Sequence, residues 1–255
     1  MSLKQLCSIL FLLTIIISGC RKKDIGQVKP AADSLKIGLL AYYPFSGNAG
    51  DSSGNANHGI INGVIPTADR SGKPNSAYDF SAAASYIDIS LKTLNLTGNN
   101  PRTIASWIKP NETATSPAQP GVIIVATGQG TTKISSENNG RTFNLRLNGA
   151  SGGWNFSFMG YSLNNDFDVN PTSGDFISNK WTHVATTYAN DTIKLFIDGK
   201  FQTSKKITLN TSGNDNFIGK NNHIGFESFF KGKIDEVRIY SRALNLTEIK
   251  TLAGQ

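Results

Sequence analysis

Apolar and polar residues alternate with a period of two through most of this chain, the pattern of strands with one buried face. Ile104, Ser106 and Ile108 alternate with Ala105 and Trp107 up to Pro110. Val122 to Ala126 is a short apolar run between Gly121 and Gly128. Phe143, Leu145 and Leu147 alternate with Asn144 and Arg146, and Asn148-Gly149 then predicts a turn. Trp154, Phe156 and Phe158 alternate with Asn155 and Ser157. Trp181 to Tyr188 predicts a strand, Ala189-Asn190-Asp191 a loop, and Ile193, Leu195 and Ile197 the returning strand. Asp198-Gly199 supplies the left-handed pair that a type I′ hairpin needs. Ile234 to Tyr240 closes the series. Helical chemistry is confined to the segment after 243. There Asn245 is an N-cap with Glu248 three residues on, and Leu244 and Ile249 sit at the staple positions, which predicts a short C-terminal helix.

Composition agrees. The chain has 255 residues, 25 of them Gly, and Glu occurs at only five positions, so strong helix formers are sparse and turn formers abundant. Both cysteines, Cys7 and Cys20, lie in the first twenty residues, which excludes a disulfide or Cys-ligated zinc site in the body. The formal charge of +7 is partly terminal: without residues 1–34, 20 basic and 16 acidic residues leave +4. Those basic residues are scattered, with Lys205-Lys206 the only adjacent pair, so nucleic-acid binding is rejected.

The N-terminus reads as an address. Lys4 precedes an apolar run from Ile9 to Ile17, too short to cross a bilayer core of about 30 Å. The run ends Ile17-Ser18-Gly19-Cys20, which resembles a bacterial lipobox. That resemblance implies cleavage after residue 19, lipidation of Cys20 and a protein anchored in the cell envelope, with the outer membrane as the default. Cys7 would leave with the signal peptide. Residues 20–34, with Arg21-Lys22-Lys23, Gly26 and Pro30, then form a tether. Residues 35–255 form a single domain.

Four motifs in that domain resemble the LamG-like jelly-roll domains of the concanavalin A-like lectin/glucanase superfamily. Trp181 to Tyr188 followed by Ile193 to Lys200 resembles the family's core hairpin. Gly232 to Leu244 resembles its last strand, Leu40 to Phe45 with Asp51 to Gly59 its first strand and loop, and Ala77 to Phe80 with Tyr86 to Ile89 a further pair. The resemblance spans roughly residues 38 to 253 and implies an all-β, two-sheet antiparallel jelly-roll sandwich. It leaves function open, because such folds host lectins, adhesion modules and enzymes.

Three groups of residues carry candidate chemistry. The Asp51 to Gly59 loop is dense in oxygen ligands, and calcium takes about 6–8 of them. Asp235 shares strand parity with Val237 and Ile239, which points its carboxylate inward. Related domains often bind calcium where the first loop meets the last strand, and by that resemblance Asp51, Asn57 and Asp235 are ligand candidates for a structural ion. The alternative is that Asp51 and Asp235 cap backbone amides. A glycan site pairs an aromatic ring with planar polar groups. Trp154 beside the Asn148 to Gly153 loop, with Tyr161, Asn164 and Asn165 beyond, forms one such candidate, although the strand alternation of Trp154 also suits burial. Phe226, Phe229 and Phe230 lie in a second Gly- and Asn-rich stretch. Trp107 and Trp181, inside strand motifs, are assigned to the core.

Catalysis finds little support. Retaining glycosidases hold two carboxylates about 5 Å apart, and no Glu-x-Asp-x-x-Glu pattern is present. Asp166-Phe167-Asp168, with Asp175 beyond, reads as loop. His58, His183 and His223 show no triad or metal spacing, and His183 reads as a packed strand residue. The favoured reading is therefore a monomeric, lipid-anchored domain that binds a glycan or glycoprotein without catalysis. A protein-binding adhesion module is second and a glycoside hydrolase third.

Overall fold

The structure is a computed structural model and describes residues 31–89, 96–111, 121–130, 141–160, 167–168, 177–223 and 227–254. One turn of helix, α1 (Ala31–Ser34), precedes β1 (Leu39–Tyr43). Four three-residue strands follow: β2 (Ile60–Asn62), β3 (Ile65–Thr67), β4 (Ala77–Asp79) and β5 (Tyr86–Asp88). The long central strands are β6 (Arg102–Pro110), β7 (Val122–Ala126), β8 (Asn144–Ala150) and β9 (Gly153–Met159), and then the short β10 (Phe167–Asp168). The chain continues through β11 (Thr182–Ala189), β12 (Thr192–Ile197), β13 (Lys200–Lys206), β14 (Phe217–Ile218) and β15 (Gly232–Tyr240) to α2 (Leu246–Gly254). No helix among the described residues is long and apolar enough to cross a membrane.

These strands make two antiparallel sheets. The first has the order β13-β12-β11-β6-β15-β4-β3, with β1 also pairing β15. The second has the order β10-β9-β8-β7-β14-β5-β2. Their inner faces meet in one apolar core. Ile104, Ile108, Val184, Leu195, Val237 and Ile239 come from the first sheet, and Ile87, Leu145, Leu147, Phe156 and Phe158 from the second. Each fully buried side chain of this size contributes about 1.5–3 kcal/mol. A second, smaller core lies on the other side of the first sheet, where Leu244, Ile249 and Leu252 of the α2 region pack on Ala105, Ala185, Phe196 and Tyr240. The architecture is the jelly-roll sandwich that the motifs imply.

Local chemistry explains several boundaries. Asp198 and Gly199 have φ of 47° and 73°, so the β12–β13 turn uses the left-handed pair expected of it. At α2, Glu248 N–H donates to Asn245 Oδ1 at 3.0 Å, and Asn245 N–H donates to Glu248 Oε2 at 2.9 Å, a closed capping box. Arg242 ties this helix to the segment leading into β1. Its Nη1 and Nη2 hold Glu248 at 2.8 Å, its Nη2 donates to Ser34 O at 2.7 Å and its Nε to Ile37 O at 2.7 Å.

Three expectations are corrected. Asn148-Gly149 is not a turn: β8 runs on to Ala150, with Asn148 opposite Asn155 and Gly149 opposite Trp154. Cross-strand register, which seats Trp154 in the core, overrides the local preference of the Asn-Gly pair. Residues 31–34, read as open tether, form α1 and are held by Arg242. Phe167 and Asp168, read as loop, pair with Phe158 and Ser157.

Candidate functional site

The first loop is built around Asp51. Its Oδ1 accepts the N–H of Tyr42 at 2.9 Å and of Ser53 at 2.8 Å; its Oδ2 accepts the Ser53 hydroxyl at 2.8 Å and the N–H of Asn57 at 3.0 Å. Burial pushes this carboxyl up, but those amides outweigh it and hold it below the usual carboxylate range. Asn57 donates its side-chain amide to Leu40 O at 2.9 Å. The loop is thereby clipped to β1.

Asp235 belongs to a different network. Glu236 takes a left-handed φ of 53° within a bulge of β15, so Ile234 and Val237 both face the core while Asp235 stands opposite Trp107 on the outer face. The parity that would point Asp235 inward is broken at this one residue. Asp235 Oδ2 meets Arg70 Nη1 at 3.1 Å and Oδ1 accepts the N–H of Glu236 at 2.7 Å. The Arg70 guanidinium lies 4.8 Å from the Trp107 ring centre. Trp107, assigned to the core from sequence, is half-buried on this outer face, and its Nε1 donates to Leu252 O at 3.4 Å. Trp181 is likewise only half-buried. Next in the row, His183 is 2% exposed and meets Trp107 edge-on at 5.5 Å.

This geometry does not fit calcium. Asp51 spends both oxygens on protein donors, and Asp235 faces a guanidinium that already supplies the positive charge. The two carboxylates serve separate networks, and no group of three or more His, Cys, Asp or Glu able to hold a metal occurs among the described residues. Asp51 follows the capping alternative.

Trp154 is 5% exposed and lies in the main core, so it cannot stack on a sugar at the surface. The alternation of Trp154, Phe156 and Phe158 is a burial pattern, and the same hairpin turns Asn148, Asn155 and Ser157 to the other face. Tyr161, Asn164 and Asn165 lie outside the described residues, as do Cys20, Asp166 and Asp175.

The outer face of the first sheet offers a more open site. The α2 helix covers Ala105, Ala185 and Tyr240 but leaves the end of the β11–β12–β13 meander uncovered. A groove of about 620 Å³ runs there between the meander and the segment Ala243–Leu246. Phe196 forms its floor, and Phe201, on edge strand β13 and 50% exposed, stands against it edge-on at 5.8 Å. Thr187, Thr192, Asn190, Asn245 and Lys194 bring hydroxyl, amide and ammonium groups to the lining. Asn190 is placed by the β11–β12 turn, where it and Asp191 have φ of 49° and 53°. Among the described residues, no Asp or Glu lines the groove. Such an arrangement can stack an apolar ring face and hydrogen-bond its polar rim; it holds no acid–base pair. Sequence reasoning passed over this site, although one signal was present: Phe201 is an isolated aromatic in the otherwise polar strand Lys200–Lys206.

A profile of the concanavalin A-like lectin/glucanases superfamily matches residues 81–250. The chain belongs to this superfamily. Among solved structures it is similar to domain 4 of AbnA, a GH43 extracellular arabinanase from Geobacillus stearothermophilus, in complex with arabinotriose. The TM-score is 0.61 at 24% identity, covering 84% of this chain and 98% of that domain. It is also similar to the binding domain of botulinum neurotoxin serotype D (TM-score 0.59, 18% identity, 88% of this chain). A third likeness is to the binding domain of Paraclostridial Mosquitocidal Protein 1 (TM-score 0.59, 19% identity, 86% of this chain). The chain spans about half, 52%, of each of those two toxin domains. At these identities the likeness is one of fold. No curated protein matches the chain. Within the superfamily, two-sheet domains serve both binding and hydrolysis, so function is decided by the site each member carries.

Proposed function

We propose that this protein is a cell-envelope lipoprotein, anchored through Cys20, whose jelly-roll domain binds a glycan and does not cleave it. The observation that carries the reading is the groove beside α2. An exposed aromatic ring, two amides and two threonine hydroxyls line one open site, with no carboxylate among the described residues. A sugar presents an apolar C–H face and a polar rim, and Phe201 with Asn190, Asn245 and Thr192 offers the complement. The arabinanase domain solved with arabinotriose supports a sugar ligand for a domain of this shape. Hydrolysis would need two carboxylates at a fixed separation, and the described residues of the groove include neither.

The test is a glycan array probed with residues 31–255 and with Phe201→Ala. Binding by the parent that falls by about 1–3 kcal/mol in the variant, with an unchanged melt, is the expected result for a central stacked anchor. No binding by either protein, or release of reducing sugar by the parent, overturns the reading. The anchor is tested separately. Cys20→Ala in the full chain should move the protein out of the detergent phase, and unchanged partitioning removes the lipoprotein assignment.

A further inference from the structure

We infer that the ligand of the groove is an anionic glycan, a chain bearing uronate carboxylates; this rests on the glycan reading above. Lys194 lies in the groove, exposed, and its ammonium makes no ion pair or hydrogen bond among the described residues. It does not stand alone. Lys206 on β13 pairs directly with Thr192, and Ser204 with Lys194, so Lys206 emerges on the same face one pair further along. Diagonal neighbours of this kind have Cα atoms about 7–8 Å apart, so Lys206, exposed and just outside the groove lining, stands beside the Lys194 that lines it, and the two charges repel one another.

The acidic groups nearby are spoken for. Asp191, in the β11–β12 turn, accepts the Tyr188 hydroxyl at 3.1 Å, directed towards the core side of the sheet. Glu248, at the start of α2, is held by both terminal nitrogens of Arg242 at 2.8 Å. Among the described residues, the groove lining therefore carries one ammonium and no carboxylate. A carboxylate on the ligand placed between Lys194 and Lys206 would relieve their repulsion. Phe201, Asn190 and Asn245 meanwhile hold the sugar ring that carries it. A neutral glycan gains the ring contacts alone.

The experiment measures affinity for oligogalacturonate and oligoalginate, for the methyl ester of oligogalacturonate, and for neutral xylo- and arabino-oligosaccharides. Lys194→Gln, Lys206→Gln and Phe201→Ala are compared with the parent. The uronates should bind tighter than the methyl ester and the neutral sugars. Each lysine variant should lose about three- to tenfold on the uronates at low salt, a larger loss than on the neutral sugars, and the difference should shrink as salt is added. Phe201→Ala should weaken both classes, and the melts of the two lysine variants should stay unchanged because both side chains are exposed. Equal affinity for ester and acid, or lysine variants indistinguishable from the parent, overturns the anionic assignment and leaves the glycan reading standing. Binding to anionic lipid vesicles in place of oligouronates also overturns it. Loss of all glycan binding in the parent removes both.

Discussion

The row Asp235–Trp107–His183 places two titratable groups on one buried strip with opposite consequences for stability. Desolvation, with Glu236 and Asp69 adding repulsion, outweighs Arg70 and raises Asp235 from 3.8 to about 7. Across pH 4 to 7 the folded protein thus holds a proton that the unfolded chain has released, and stability falls as pH rises through that window. Burial, with Arg238 and Arg70 nearby, lowers His183 from 6.5 to about 3. Here the unfolded chain holds the extra proton, and stability rises with pH between 3 and 6.5. Over the shared window, about pH 4 to 6.5, each effect amounts to about 3 kcal/mol at ~1.4 kcal/mol per unit. In the wild type they nearly cancel. Asp235→Asn should unmask the rising slope and His183→Gln the falling one. In a domain of this size each corresponds to about 6–12 °C of melting temperature across the window. Offsets from the Arg70 left unpaired do not matter, because the slope is what is read. Asp51 and Glu248, both held low from ordinary values of 3.8 and 4.5, contribute stability that is lost as pH falls through those values, so they add a rising slope only at the acid end of the window, and equally in both variants. Calorimetric melts at half-unit pH steps decide it. Slopes of equal sign in the two variants, or no slope in either, would refute the reasoning.

Trp154→Ala should lower stability by about 3–5 kcal/mol, the cost of a large cavity in the core, while glycan affinity of the folded fraction stays unchanged; lost binding with an intact melt would return the indole to the site. Arg102→Met should cost about 3–5 kcal/mol in chemical denaturation, because its guanidinium, 0% exposed, serves the carbonyls of Leu96, Thr97, Gly98 and Asn100. Asn245→Ala should cost about 1 kcal/mol by opening the capping box, and a loss below a few tenths would deny the cap its role. Chelator and added calcium should leave the melting temperature unmoved, since Asp51 and Asp235 are engaged with protein donors; a calcium-dependent rise that Asp235→Asn abolishes would restore the ion.

Period-two alternation was legible wherever a strand ran unbroken, and so were the two devices whose chemistry is local: the Asp198-Gly199 turn and the Asn245/Glu248 box. What failed to read through was set by partners far away in sequence. The bulge at Glu236 reverses the parity of Asp235, and of the two groups that fix the Glu236 carboxylate only Arg238 lies in the same strand; Tyr42 comes from β1, far away in sequence. Trp107 alternates as a core residue does, yet its cover is Arg70, brought in by the β3–β4 connection. Trp154, put forward as a ring-stacking residue, is instead buried with Phe156 and Phe158, the other reading that its alternation allowed. The groove could not be read because its two walls, β12–β13 and Ala243–Leu246, come together only when α2 folds back across the sheet.

Arg242 gives this arrangement a mechanical side. A chain held at its N-terminus and gripped elsewhere by a fixed polymer carries tension. That load would reach the domain at Ser34 and Ile37, whose carbonyls are hooked by Arg242 ahead of the β1–β15 pairing. The residue after Arg242 is Ala243, the first of the groove wall. Anchor and ligand would therefore pull on adjacent residues, one strut apart, leaving the distant edge at β3 unloaded. In a tethered protein the stiffness of a single guanidinium hook would set how far a tug on the lipid displaces one side of the binding cleft.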